Sequence, residues 1–227
     1  MKFFKDLEKQ LEPEIEKILD HKFLKRISSG ELSLNQLQYF GLQYWHYCRA
    51  FPKFLAAAAS NIEDDITRMP LIENLWEEHG SGKIRKSHRN LYYKFLLGLD
   101  LMPEEIEVSI PLKSTTTCIN VMLKVCKSDN FLTALGALGP GTEFFTNQEY
   151  SIIYDGLMKS PDVTSREAIF WKEHISLDEE HYSEMISVLF PWARDISSQE
   201  SITKGALLAI EAEILFWDGI EAELPQN

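Results

Sequence analysis

Apolar residues recur at spacings of three and four through most of the chain, and this periodicity restricts the fold more than any other feature. One continuous stripe lies between residues 33 and 55, and its members are Leu34, Leu37, Gly41, Tyr44, Cys48, Phe51 and Leu55. A helix turns once in about 3.6 residues, so such a stripe marks the buried face of an amphipathic helix. No stretch keeps the strict apolar–polar alternation of half-buried strands. The sequence therefore predicts an all-α protein.

Short breaker segments rich in Gly, Ser, Pro and Asp divide the periodic regions. The predicted helices lie near residues 3–27, with an interruption at Pro13, and near 33–61, 64–79, 84–99, 103–127, 129–156, 164–187 and 199–222. Long helices joined by short loops pack as an antiparallel bundle, whose interior commonly holds a metal or a cofactor. We expect a single compact helical bundle of about seven to eight helices, with residues 1–227 forming one domain.

An excess of acidic residues restricts the partners of the protein. The chain has 35 Asp and Glu against 23 Lys and Arg, a net charge of −12, which repels phosphate backbones and argues against nucleic acid. No apolar run approaches the roughly 20 residues that cross a bilayer, and no export signal is recognisable. The 3 cysteines lack paired spacing, as is usual in a reducing compartment. We therefore expect a cytoplasmic protein with no membrane partner, and a homodimer is left open.

The segment from residue 174 to 181 carries the most informative polar pattern. His174, Asp178 and His181 stand at helix positions i, i+4 and i+7, so at about 100° per residue they fall within an arc of roughly 60°. Their side chains can converge on one point inside a bundle, and imidazole together with carboxylate suits iron or manganese. The alternative is that both histidines are ordinary residues of a charged helix. A partner cluster has to decide between the two.

Glu78 and His88 are the proposed partner cluster. On one unbroken helix these residues would lie about 15 Å apart along the axis and on different faces, so the chain has to bend between them. Residues 80–82 include two glycines, which permit such a bend. Two alternatives stay open: Glu77 or His79 replaces Glu78 as the ligand, or the whole acidic segment is a solvated helix end.

Glu143 follows a stretch of small apolar residues at 134–142 and is the next acid after Asp129. A carboxylate is costly to bury in such surroundings unless a cation or hydrogen bonds compensate it, which favours a role as a metal ligand. The competing interpretation makes residues 139–141 a turn and Glu143 an exposed acid at a helix start.

These motifs resemble those of the haem-oxygenase-like di-iron oxidases over nearly the whole chain. That family includes the chlamydial protein associating with death domains, and it is grouped structurally with the thiaminase TenA and the quinone-cofactor synthase PqqC. The resemblance is carried by Gly30-Glu31-Leu32, Gln36-Leu37, Arg49-Ala50-Phe51-Pro52, Asn74-Leu75, Glu77-Glu78, Ser87-His88, Glu143 and the His-x3-Asp-x2-His run. Transferred position by position, the family's metal ligands fall on Glu78, His88, Glu143, His174, Asp178 and His181.

The resemblance implies an enzyme that holds two iron ions and uses O2 to oxidise a small organic substrate. Manganese or zinc are conceivable substitutes for iron. Because Glu78 and His88 lie on either side of the bend, we expect their metal position to be the weaker one. Two alternatives from the same superfamily are a metal-free oxidase like PqqC and a non-catalytic module that binds a death domain. A thiaminase is disfavoured because residues 136–144 contain no cysteine.

One member of the family makes p-aminobenzoate from its own tyrosine, which makes p-aminobenzoate or folate-like cofactor biosynthesis one option for this chain. The chain departs from that member at two positions: Leu24 stands at the expected tyrosine and Ile153 at the expected lysine. Tyr44 and Tyr47 remain available as catalytic residues for radical chemistry. Their alternative role is packing.

The substrate cavity is expected to be mainly apolar, with Phe144 and Trp171 in contact with the substrate. Arg49 is a proposed anchor for a substrate that carries a carboxylate. The alternative for Arg49 is a solvated surface position.

Overall fold

A computed structural model describes residues 2–226, apart from the side chains of residues 176–180. Within that part of the chain the structure has twelve α-helices, one 3-10 turn and one π-helical turn, and no strand. None of the described helices is both long enough and apolar enough to cross a membrane. The prediction of a compact all-α fold is confirmed, whereas the expected number of helices is too low.

The helices follow one another along the chain without large insertions. They are α1 Lys2–Leu19, α2 Lys22–Ser29, α3 Leu34–Cys48, α4 Phe51–Ser60, α5 Asp65–Glu78, α6 His88–Gly98, α7 Pro103–Val108, α8 Lys113–Cys126, α9 Phe131–Leu138, α10 Phe144–Leu157, α11 Ile169–Leu189 and α12 Ile196–Ala222. The 3-10 turn covers Ile84–Lys86, and the π turn covers Gly139–Glu143.

The helix count exceeds the prediction because several periodic segments contain a break. The N-terminal segment breaks at residues 20–21 rather than at Pro13, which lies inside α1. The segment predicted at 33–61 divides into α3 and α4, and Pro52 lies in the first turn of α4, where the helix needs no N–H. Two further predicted segments, before and after residue 128, divide in the same way. The apolar periodicity continues across these breaks, so the number of helices cannot be inferred from it.

Small residues bring α9 and α12 into close contact. A Cβ atom on Gly136 would collide with the backbone of Ile202, and one on Gly205 would collide with the backbone of Thr133. The long α12 also packs against α8 and α1, while α10 packs between α11 and α2. The cavity inside the bundle is lined by residues of α3, α5, α10, α11 and α12.

A buried aromatic cluster fixes α11 against α3. The ring centroids of Phe40 and Trp171 are 5.8 Å apart, and those of Tyr44 and Trp171 are 4.8 Å apart. Trp217 of α12 lies 6.1 Å from the ring of Tyr44. Because His174 follows Trp171 by almost one helical turn on the same face, this packing determines where the His174 side chain can reach.

The starts of α3 and α12 illustrate local control by polar residues. Ser33 is the N-cap of α3, and its backbone N–H donates to Gln36 Oε1 at 3.1 Å. The cap of α12 is Asp195, whose side chain accepts a hydrogen bond from the Ser198 N–H at 2.9 Å.

Candidate metal centre

Glu78, His88 and His174 converge at the junction of α5, α6 and α11, and we call them the first cluster. All three are buried, with exposed fractions of 6%, 5% and 6%. His88 Nδ1 lies 2.8 Å from Glu78 Oε1, and His174 Nε2 lies 3.9 Å from the same oxygen. One ligand atom from each residue lies within 4.8 Å of the other two. Metal ligands at about 2.1 Å from one ion are at most roughly 4.2 Å apart, so a small adjustment completes this site.

The bend between Glu78 and His88 is present as predicted. α5 ends at Glu78, and Gly80, Ser81 and Gly82 all adopt positive φ angles of 76°, 50° and 82°. A Cβ atom on Gly80 would collide with backbone atoms of residues 83–87, so only glycine fits there. The chain then re-enters a helix at His88, which places the imidazole beside the carboxylate that ended α5.

Hydrogen bonding orients the His174 ring within the first cluster. His174 Nδ1 lies 2.7 Å from the carbonyl oxygen of Phe170, which can only accept, so Nδ1 carries the proton. The lone pair on Nε2 is then directed toward Glu78. Such a carbonyl contact on the far nitrogen is the usual way in which proteins orient a histidine that binds a metal.

Glu143 and His181 form a second, looser cluster. His181 Nδ1 lies 3.8 Å from Glu143 Oε2, while His181 Nε2 lies 2.7 Å from Glu77 Oε2. The side chain of Glu77 is 39% exposed, so this contact reaches the protein surface. Asn74 Nδ2 donates to Glu143 Oε1 at 3.0 Å. Asp178, the remaining ligand expected from the family pattern, lies outside the described side chains.

The π turn explains how Glu143 is buried. Its exposed fraction is 3%, which excludes the alternative of an exposed acid at a helix start. The Thr142 hydroxyl donates to the carbonyl of Ala137, five residues earlier, at 2.9 Å, which matches the wider π spacing. A Cβ atom on Gly141 would collide with Ala206, so the π turn lies directly against α12. This widened turn directs Glu143 into the bundle.

The neighbours of Glu78 resolve which residue of the acidic segment enters the first cluster. His79 is exposed, and its Nδ1 donates to the carbonyl of Leu75 in its own helix at 2.7 Å. Glu77 points to His181 instead of His88. Among the three neighbouring positions that the sequence left open, Glu78 is therefore the one that meets His88 and His174.

The charges of the first cluster support one another. Burial alone would raise the pKa of Glu78, but His88 and His174 offset it and hold that pKa at about 2. Burial opposes a charge on His88, and the Glu78 carboxylate overcomes this and raises the pKa of His88. Burial and the neighbouring His88 lower the pKa of His174. Glu78 and His174 thus favour the forms that metals bind, whereas a metal ion has to compete with the proton that His88 favours.

His181, like His88 and unlike His174, favours its protonated form. Burial would lower its pKa, but Glu143 and Glu77 together raise the pKa of His181 to about 10. The imidazolium is therefore the stable form at neutral pH, held between two carboxylates. A metal ion at the second cluster has to displace this proton.

A cavity of about 40 Å³ connects the two clusters. Its walls include Glu78 and His174 of the first cluster, Glu143 and His181 of the second, and Asn74. A water molecule needs roughly 10–15 Å³ of such space, so the cavity has room for only a few waters or similarly small groups.

Three tyrosines form part of the cavity wall. The hydroxyl oxygens of Tyr44 and Tyr150 are 2.6 Å apart, and the Tyr150 ring lies 5.3 Å from the ring of His174. Tyr47 also lines the cavity, with its ring 5.7 Å from that of Tyr44. Burial raises the pKa of Tyr44 and of Tyr47 well above the ordinary value. No motif in the sequence singled out Tyr150, although its position seven residues after Glu143 places it on the same helix face.

Two further carboxyl groups, Glu149 and Glu213, line the same cavity. Trp217 Nε1 donates to Glu149 Oε1 at 2.7 Å, and Glu149 also hydrogen-bonds to Glu213. Burial raises the pKa of Glu213, so this carboxyl tends toward the protonated form. The sequence analysis did not identify this pair.

The three residues expected to contact substrate do not belong to the described cavity wall. Arg49 is exposed, and its guanidinium donates to His46 Nδ1 at 2.9 Å, which corresponds to the surface alternative. Phe144 is half-buried and packs at 4.9 Å on the ring of Tyr182. Trp171 is fully buried behind Tyr44. The predicted helix face of a residue does not reveal whether its side chain lines the cavity or packs in the layer behind the cavity wall.

Comparison with protein families identifies one match that covers well over half of the chain. The family is described as an iron-containing redox enzyme of the haem-oxygenase type, and its model matches residues 38–214. The matched region contains the residues of both clusters.

Two relatives are 4-aminobenzoate synthases. The protein from Chlamydia trachomatis is 31% identical over 121 residues, which cover 53% of this chain and 51% of the relative. The chain thus matches only about half the length of that protein. The protein from Nitrosomonas europaea is 26% identical, with 92% of this chain and 88% of the relative covered.

Solved structures share the fold. A CADD-like protein of unknown function from Nostoc punctiforme superposes with a TM-score of 0.83 at 18% identity, covering 99% of this chain and 98% of its own. A TenA homologue from Pseudomonas syringae pv. tomato gives a TM-score of 0.82 at 13% identity, covering 97% and 93%. At such identities the likeness concerns the fold alone.

Proposed function

The chain belongs to the haem-oxygenase-like family of iron-containing redox enzymes, and from that premise we propose that it is a non-haem di-iron oxidase. The proposed reaction is the O2-dependent oxidation of a small organic substrate. The proposed ligands are Glu78, His88, Glu143, His174, Asp178 and His181, with Asp178 assigned from the family pattern alone.

The observation that carries this proposal is the convergence of Glu78, His88 and His174, whose ligand atoms lie within 4.8 Å of one another in a buried position. Three helices contribute one residue each, although the first and last are almost 100 positions apart in sequence. In the absence of a metal the neighbouring histidines compensate the buried Glu78 carboxylate, and a divalent cation bound by all three side chains would take over that compensation.

The donor set fits iron. Imidazole and carboxylate are ligands of intermediate and hard character, and no cysteine among the described residues joins either cluster, which disfavours sites built for soft metals. When bound, iron would supply the electrons and the open coordination positions that reduction of O2 requires. The protein holds Glu78 and His174 in their deprotonated forms, orients His174 through Phe170 and limits water to a small cavity.

The two tyrosines proposed as catalytic residues have different surroundings. The hydroxyl of Tyr44 shares a short hydrogen bond with Tyr150, so a proton that leaves one phenol has an acceptor 2.6 Å away. Tyr150 in turn packs against His174. Tyr47 packs against the ring of Tyr44, at a centroid distance of 5.7 Å. We assign Tyr44 as the residue that moves a proton during oxidation, and Tyr47 as its neighbour in the wall.

Aminobenzoate biosynthesis is the proposed setting, because both relatives described above are 4-aminobenzoate synthases. This chain cannot use the tyrosine and lysine positions of its family member, since they hold Leu24 and Ile153, which are both fully buried aliphatic residues. The substrate is therefore a separate small molecule. No lysine or arginine lines the described cavity, so an anionic substrate lacks a partner there, and Arg49 could assist only from outside.

An anaerobic iron titration tests the metal chemistry. Apoprotein receives ferrous iron without O2 and is then mixed with air while visible absorption and dissolved O2 are recorded. Two bound ions, a transient visible absorption and O2 uptake are expected. His88→Ala should lose the ion of the first cluster together with the transient absorption and the O2 uptake, whereas His79→Ala, which removes an exposed histidine nearby, should change none of these. A wild-type protein that binds no iron would overturn the proposal and favour a metal-free enzyme or a binding module.

Product analysis tests the biosynthetic setting. The loaded protein receives reductant, O2 and a small-molecule extract of cells, and 4-aminobenzoate is measured by mass spectrometry. Formation that depends on the extract is expected. Formation without any added small molecule would show that the chain consumes one of its own residues, contrary to the argument from Leu24 and Ile153.

A further inference from the structure

Asn74 lies one turn before Glu78 on α5 and has an unusual hydrogen-bonding environment. The residue is 2% exposed and forms part of the cavity wall. Its Nδ2 donates to Glu143 Oε1 at 3.0 Å, whereas its Oδ1 is buried and has no hydrogen-bond partner in the protein. Buried polar atoms are nearly always paired, so this oxygen requires an explanation.

The orientation of the Asn74 amide follows from its neighbour. Rotating the amide by half a turn would place Oδ1 against the Glu143 carboxylate, so that two acceptors would face each other. The N–H must therefore point to Glu143. A buried carbonyl oxygen that lines a cavity calls for an N–H or O–H donor from the cavity itself.

Two hydroxyl donors in the wall are already used by the protein. The Thr142 hydroxyl donates to the carbonyl of Ala137 at 2.9 Å, and the Thr146 hydroxyl donates to the carbonyl of Thr142 at 2.6 Å. No other group of the described protein, including the tyrosines of the wall, hydrogen-bonds to Asn74 Oδ1, so its donor has to come from the contents of the cavity, which has room for a few water molecules.

We propose that Asn74 is a positioning residue that links the two clusters, because its N–H holds Glu143 in place while its Oδ1 accepts a hydrogen bond from a water molecule in the loaded cavity. This inference rests on the proposed di-iron function. Asn74 shares the α5 face that carries Glu78, so one helix would fix a ligand of the first cluster and orient a ligand of the second.

The sequence offered one signal for this role. Asn74 precedes Glu78 by four positions, so the two side chains lie on the same face of one helix, and a polar side chain on the face of a proposed ligand is a candidate for supporting it. Its partner Glu143 lies 69 positions away, and only the fold shows that the two meet.

Cobalt(II) titration under nitrogen tests the proposal, since the visible absorption of cobalt reports its coordination. Wild-type protein should bind two ions. Asn74→Leu, which keeps the size but removes both polar atoms, should weaken the second ion by about tenfold or more and change its absorption bands. Asn74→Asp keeps an acceptor toward the cavity but loses the donor to Glu143, so it should weaken the second ion as well.

Asn61→Leu is the matched control. Asn61 also uses its side-chain N–H groups inside the protein, on the carbonyls of Cys126 and Ser128, but it lies away from both clusters. It should lower thermal stability and leave both cobalt affinities and spectra unchanged. Equal cobalt binding by wild type, Asn74→Leu and Asn74→Asp would overturn the role of Asn74 alone. Absence of cobalt binding by wild type would overturn the di-iron function and this inference with it.

Discussion

The two clusters that face the cavity differ in how closely the protein brings their proposed ligand atoms together in the absence of a metal ion. In the first, Glu78, His88 and His174 already converge within 4.8 Å. In the second, His181 is bound to the half-exposed Glu77 and stays 3.8 Å from Glu143. The sequence suggested that the first cluster would be the weaker position because it spans the glycine bend. The geometry argues for the reverse.

This difference shows that a bend in the backbone between two proposed ligands does not prevent their side chains from being held close together. The positive φ angles of residues 80–82 fix the direction of the chain between α5 and α6. This backbone conformation brings the side chains of Glu78 and His88 into contact. In the second cluster His181 has two carboxylate neighbours and is held as an imidazolium. We therefore expect the proton on His181, rather than backbone freedom, to weaken metal binding at the second cluster.

The largest effect is expected from His174→Ala, which removes a ligand from the preassembled cluster. Turnover that depends on O2 should be lost, and iron affinity at the first position should fall by about 100-fold. The helical circular dichroism signal should persist, because the packing of α11 depends mainly on Trp171 and Phe170. Iron analysis after gel filtration measures the loss. Full iron occupancy in this variant would contradict the assignment of the first cluster.

His181→Ala should have a smaller effect, confined to the second cluster. One ion should remain bound with nearly unchanged affinity, and the bound iron should fall from two ions to one per chain. His21→Ala is a suitable control, since His21 contacts only the exposed Asp218 at the surface among its charged neighbours. If His181→Ala lost both ions together, the two clusters would not be separable and the comparison would fail.

The pH dependence of stability should come next in size. The pKa of His181 in the folded apoprotein, about 10, exceeds the ordinary value of 6.5, so its stabilising contribution is fully present below pH 6.5. That contribution is lost as pH rises from 6.5 through 10. Urea unfolding of apoprotein at pH 7 and pH 9.5 should show this loss, on the order of a few kcal/mol, and His181→Gln should show a clearly smaller loss that comes from buried cysteines and tyrosines. Equal pH slopes for both proteins would argue against the charged His181.

The smallest effect is expected from Glu77→Gln. This change weakens the hold on His181 Nε2 and should raise affinity for the second ion by a factor of about five or less, since partly exposed ion pairs contribute about 1 kcal/mol or less. Glu73→Gln on the exposed face of the same helix is the matched control. A clear loss of metal affinity in Glu77→Gln would instead identify Glu77 as a ligand.

The sequence by itself determined the fold class and predicted most of the side chains that meet in the candidate site. Apolar spacing predicted helices throughout, because a buried helix face must repeat about every 3.6 residues. The spacing of His174 and His181 placed both on one face, and both meet the cavity. The number of helices was out of reach, since an apolar stripe continues through breaks such as the one between α3 and α4.

Tertiary structure alone decided which neighbouring side chain enters the site and which partner it meets. Glu77, Glu78 and His79 follow one another, and about 100° of rotation per residue sends them in three directions, so only the packing of α5 against α11 could select Glu78 for His88. The contact of Asn74 with Glu143 likewise depends on helices far apart in sequence. Local periodicity determines the faces of a helix, whereas the position of each face relative to the others is a property of the assembled bundle.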